Sequence, residues 1–149
     1  MGMNPHRWRL RAIAASVLVF AALLLTALSP IQRSSREQLF EIPKGTWARR
    51  TAGDAVEILP NTIYLTLAVK DVLVLKNNDD VPQIFGPTLI MPGQSFKLPF
   101  DLASDYQFAC SAHADGQMTV IVEPEPTPGW PRLQWRSRQL WRALQSGIQ

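Results

Sequence analysis

Disulfides have no place in this chain, which holds a single cysteine in 149 residues. A small domain built from it must rely on packing, bound metal or membrane contact instead. Histidine is almost as scarce, with two. There is no Walker motif, no GxSxG run and no evident nucleophile and base arrangement, so hydrolytic chemistry has little support and no enzyme is expected. Between Glu41 and Val122 no stretch shows amphipathic helical period. Acidic residues are missing from both ends. Residues 1–36 carry five arginines and no acid, and residues 127–149 carry four arginines and no acid. All twelve acids fall in 37–126 against six lysines and arginines. The overall charge of +3 therefore does not describe a basic folded domain. Nucleic-acid binding is not expected, whereas the basic ends suit anionic lipid headgroups.

The longest apolar run is Ala12 to Leu28, uncharged throughout, with Arg7, Arg9 and Arg11 before it. It reads as a membrane-targeting segment. Ala27-Leu28-Ser29 could serve as a cleavage site, but Pro30 directly after it hinders a peptidase. An uncleaved signal-anchor over 12–29 is expected, with residues 1–11 cytoplasmic by the positive-inside rule and the rest extracytoplasmic, periplasmic or on the outer surface. Residues 30–40 then form a linker.

From Glu41 onward, short β-branched or alternating runs are separated by turn residues, so an all-β domain is expected over 41–124. The expected strands are Ala55–Ile58, Thr62–Ala68, Val72–Lys76, Gln83–Phe85, Ser95–Pro99, Tyr106–Cys110 and Met118–Val122. Pro60-Asn61, the run from Asn77 to Asp80, Gly86-Pro87 and Pro92-Gly93 supply turns. Val72 to Leu75 run without alternation, as in a central strand buried on both faces.

Chemistry concentrates at Cys110-Ser111-Ala112-His113-Ala114-Asp115-Gly116-Gln117-Met118, which places a thiol, an imidazole and a thioether between two expected strands. Redox-active copper favours a thiolate and imidazoles in a near-trigonal plane with a weak axial thioether. Cys110 can end one strand, His113 can sit on the loop and Met118 can begin the return strand, with Gly116 permitting a tight turn. Each of the three alone is more often a core or loop residue than a ligand. Zinc is disfavoured by the shortage of Cys and His.

The Cys-x2-His-x4-Met loop resembles that of the cupredoxin family, the plastocyanin-like blue copper proteins, and so do Leu75 to Pro82 and Met91-Pro92-Gly93 upstream. The resemblance implies a Greek-key β-sandwich and one copper ion. It also implies that the first histidine ligand falls on Gln83, so the set becomes Cys110, His113, Met118 and Gln83. A two-copper centre is disfavoured because it needs two cysteines. An amide oxygen is a weaker copper ligand than imidazole, and Cys110, His113 and Met118 alone suit cuprous ion better than cupric.

After the Pro-rich break that opens segment 125–149, helical spacing puts Trp130, Leu133, Leu140, Trp141 and Leu144 on one face and the arginines mostly elsewhere. A short amphipathic helix lying in a membrane interface is expected, with docking on a protein surface and a disordered tail as the other readings. Taken together, the expectation is a membrane-tethered copper protein transferring single electrons next to an integral membrane redox complex or a soluble electron carrier. The alternatives are a copper-free, degenerate cupredoxin serving as an accessory subunit and a carrier of cuprous ion.

Overall fold

The computed structural model describes residues 5–31, 35–54, 58–113 and 115–146, with side chains described from Ile13 to Gln145 within those spans. The chain divides into two compact units, Gln32–Glu125 and a second made of residues 1–31 with 126–149.

The first unit is a β-sandwich. One sheet has the order β1-β3-β6, from Glu37–Ile42, Val72–Asn77 and Ser95–Pro99. The other has the order β2-β8-β7, from Thr62–Thr66, Gln117–Glu123 and Asp105–Ala109. A hairpin of β4 (Gln83–Phe85) and β5 (Thr88–Ile90) completes the strands. β3 is the middle strand of its sheet, and Leu73, Val74 and Leu75 are buried in succession, as their unbroken apolar run predicts. β8 is the middle strand of the other sheet, yet it alternates, with Met118, Val120 and Val122 turned inward. Inward residues of both sheets form one core that includes Ile42, Ile63, Leu65, Leu73, Leu75, Phe85 and Val120. Each large apolar side chain withdrawn this fully from water contributes about 1.5–3 kcal/mol.

Both sheets mix directions. β1 runs parallel to β3 and β2 parallel to β8, while β3 with β6 and β7 with β8 are antiparallel. The β4–β5 turn sets Gly86 at φ +53° ahead of Pro87, a first central position that favours glycine. A Cβ there would also sit 3.2 Å from the Phe108 ring.

Three elements depart from the expected strands. β1 begins at Glu37, ahead of the boundary expected at Glu41, and its parallel pairing with β3 supplies the order that its charged sequence hides. Its outward Glu41 meets the cross-strand partner Lys76 at 3.5 Å. β5 is created by the turn before it. Helix α2, Thr46–Thr51, stands where no helix was expected, entered through Gly45 at φ +81°. Of the expected strand Ala55–Ile58, residues 55–57 lie outside the described residues and Ile58 lies in a bend.

The second unit pairs helices α1, Pro5–Leu28, and α3, Trp130–Ser146. Among the described residues no helix is long and apolar enough to cross a membrane. The uncharged run of α1 covers only Ala12–Leu28, about 26 Å at 1.5 Å per residue against a hydrocarbon core of about 30 Å.

Candidate metal centre

The turn between β7 and β8 carries Cys110 and His113, and the start of β8 carries Met118. Cys110 follows the last residue of β7, and its N–H donates to Gly116 O at 2.8 Å. The His113 N–H donates to Cys110 O at 3.2 Å and the Gly116 N–H to His113 O at 3.3 Å, folding the segment back on itself. Gly116, at φ +73°, supplies the left-handed step that returns the chain to β8. Met118 enters β8 opposite Phe108 of β7.

All three side chains are buried. Cys110 and Met118 lie in the main core cluster, and His113 is 4% exposed. Burial pushes the Cys110 thiol up, the Ala112 and His113 amides hydrogen-bonded to it pull it down, and the Asp115 charge adds to the rise. The net shift is upward, so without a cation the sulfur holds its proton.

The imidazole of His113 is the informative group. Its Nε2 lies 3.3 Å from the carbonyl oxygen of Pro60, which can only accept, so Nε2 carries the proton. In the neutral ring Nδ1 then bears a free lone pair. Nδ1 is buried and finds no hydrogen-bond partner among the described residues. A buried acceptor left in this way costs about 1–3 kcal/mol, and a metal ion relieves that cost.

Gln83 is fully buried on β4, next to the loop. Phe85 of β4 bridges to Cys110, and the Ser111 N–H donates to Ile84 O at 3.1 Å. Both ends of the Gln83 amide are engaged. Its Nε2 donates to Asp79 Oδ2 at 3.0 Å, and its Oε1 accepts the Ser111 hydroxyl at 2.6 Å. Ser111 Oγ in turn accepts the Ile84 N–H at 2.9 Å. Asp79 anchors the series. Burial alone would raise its pKa, but the amides of Trp47, Asp80 and Gly45 and the Gln83 side chain outweigh burial and hold it below the ordinary 3.8. An ionised Asp79 can only accept, which fixes the amide with its nitrogen toward Asp79 and its oxygen toward Ser111. Gln83 thus lies beside the loop with its amide oxygen already accepting one hydrogen bond.

Sequence reasoning passed over Asp79, read only as a turn residue, and Ser111, read only as part of the loop. It also passed over Arg50 of α2, whose Nε donates to Ala112 O at 3.0 Å and pins the loop from outside. Ser111 lies 28 residues from Gln83 and Arg50 lies 62 from Ala112, beyond any local pattern, whereas Asp79 is only four residues from Gln83.

The donor set can be tested against a metal. Among the described residues no three or more His, Cys, Asp and Glu gather to hold an ion. Zinc and hard cations are therefore poorly served. A thiol, an imidazole with its lone pair unengaged and a thioether instead fit a soft, copper-like ion, provided Met118 takes part.

No protein-family model matches the chain, and no curated protein matches it. Among solved structures it is similar to a purple cupredoxin from Nitrosopumilus maritimus, at 19% identity and a TM-score of 0.42 over 57% of this chain and 98% of that one. It is also similar to the oxidised state of a proline-to-alanine mutant of amicyanin, at 16% identity and a TM-score of 0.40 over 57% of this chain and 80% of that one. A third is the Cu(I) form of a methionine-to-alanine mutant of amicyanin, at 13% identity and a TM-score of 0.42 over 62% and 87% of the two chains.

Proposed function

We propose that this chain is a membrane-tethered, cupredoxin-like copper protein that transfers single electrons, with Cys110, His113 and Met118 holding one ion. The observation that carries this reading is the unpartnered, buried Nδ1 of His113, on the same turn as a buried thiol and ahead of a buried thioether in β8. Copper supplies one-electron redox chemistry when bound. Cys110 would hold the ion through its sulfur, His113 through Nδ1 while Pro60 O keeps the proton on Nε2, and Met118 through a weak thioether. Gln83 holds the loop through Ser111, and the burial of all three donors excludes water from them. The partner is an integral membrane redox complex or a soluble electron carrier. Tethering falls to α1, whose residues from Ile13 to Leu28 are uncharged and mostly exposed, behind three arginines.

The test is copper titration of the full chain in detergent, with stoichiometry, visible and paramagnetic-resonance spectra, and Cys110→Ala as control. One copper per chain with an intense charge-transfer band that vanishes in Cys110→Ala is the expected result. Binding of cuprous ion alone points to a copper carrier. No specific binding of either ion sinks the reading and leaves a structural subunit.

A further inference from the structure

The carbonyl end of α1 is closed by the chain itself. A helix leaves its last four carbonyls without helical partners, and these ordinarily turn to water. Here Leu25 O accepts the Ser29 N–H at 2.9 Å, Thr26 O the Ser29 hydroxyl at 3.2 Å and Ala27 O the Gly129 N–H at 3.1 Å. Leu28 O receives Arg132 at 3.5 Å. Arg132 also donates to Ser29 O at 3.1 Å, and Arg136 to Ser29 O at 3.0 Å and Pro30 O at 3.3 Å. Every carbonyl from Leu25 to Pro30 therefore has a donor from this chain.

This arrangement turns α3 inside out for a soluble protein. Arg132 and Arg136 face the end of α1, with Arg132 buried, while Trp130, Leu140, Trp141 and Leu144 are 55–68% exposed. The unit made by α1 and α3 contains seven arginines and no acid, whereas every acid of the chain belongs to the β-sandwich unit. An apolar side that carries two tryptophans, on a unit whose charged side chains are all arginines, matches an anionic bilayer interface rather than a protein surface. Sealed carbonyls matter where a helix ends near hydrocarbon, which offers an open backbone group no water.

We propose that α3 lies in an anionic lipid interface on its Trp130, Leu140, Trp141 and Leu144 side, and that Arg132 and Arg136 hold it there by capping the carbonyl end of α1. This rests on the tethering reading above. The capped end lets a short apolar helix finish inside the interface, and α3 covers the shortfall in its length.

The full chain is reconstituted into vesicles of phosphatidylcholine with and without phosphatidylglycerol, and flotation is measured beside tryptophan quenching by lipids brominated along the acyl chain. Subtracting the signal of a Trp130→Phe, Trp141→Phe variant isolates α3. Flotation with both lipids, and α3 quenching several-fold stronger in anionic vesicles, is the expected result. Arg132→Gln with Arg136→Gln should keep flotation and lose most of that quenching. Flotation without α3 quenching, as when this side belongs to a protein partner, overturns the proposal and leaves the tether standing. Quenching unchanged in the arginine variant overturns the capping role. A chain that does not float overturns the tether and this inference with it.

Discussion

The Gln83 amide stands between two groups of fixed polarity, an ionised Asp79 that only accepts and a Ser111 hydroxyl whose oxygen already accepts from Ile84. Replacing it tests whether it organises the ligand loop. Gln83→Ala leaves the half-buried Ser111 hydroxyl without its acceptor and the buried Asp79 short of one donor, and a loss of about 1–3 kcal/mol in denaturant unfolding is expected. Gln83→Glu keeps the shape but sets a second carboxylate against Asp79, and should be the less stable of the two at neutral pH. Equal stability of all three proteins would falsify the organising role. Cys110, His113 and Met118 were legible in the sequence because the loop is contiguous. That His113 would keep its Nδ1 free was not, since it depends on Pro60, 53 residues upstream.

Among the elements, the central strand β3 was the most legible, because Val72 to Leu75 have no polar face to offer water. β1 was hidden for the opposite reason. Its residues 37–40 fall in the expected linker, yet Glu37 and Glu41 face outward and meet Lys97 at 2.5 Å and Lys76 at 3.5 Å. The loop from β2 to β3 shows how one buried acid orders a connection. Asp71 accepts the Ala68 N–H at 2.8 Å, which holds Ala68 at φ +59°, and takes a two-pronged bond from Arg36 that includes Nε to Oδ1 at 2.7 Å. The hydrogen bond from Arg36 is the main cause that lowers the Asp71 pKa below the ordinary 3.8, against the opposing effect of burial. Its stabilising effect is therefore complete above the unfolded value near 3.8 and is lost as pH falls through the lower folded value. Melting temperatures measured from neutral pH downward should hold until about pH 4 and then fall. Asp71→Asn should start lower and show a shallower acid limb, and an acid limb as steep as that of the parent would place the dependence elsewhere.

For the whole molecule, charge and apolar character are sorted by unit. The sandwich holds all the acids and the buried donors, and the helical unit holds seven arginines and most of the exposed large apolar side chains. Counting charges by segment made that sorting readable from the sequence, and so was the all-β nature of the larger unit. The mixed strand directions were not, because the partners of β1 and β2 lie far along the chain, in β3 and β8. Also unreadable was the capped end of α1, where Arg132 and Arg136 meet residues more than a hundred positions away.

The central claim is that His113 presents a free Nδ1 to a soft ion. Imidazole nitrogen NMR of the full chain in detergent, without metal and then with one equivalent of cuprous ion, tests it most directly, with His113→Gln assigning the signals. The account predicts a proton on Nε2, with the bare Nδ1 resonance shifting on addition of the ion while the Nε2–H persists. A proton found on Nδ1, or a His113 spectrum unmoved by the ion, would contradict it.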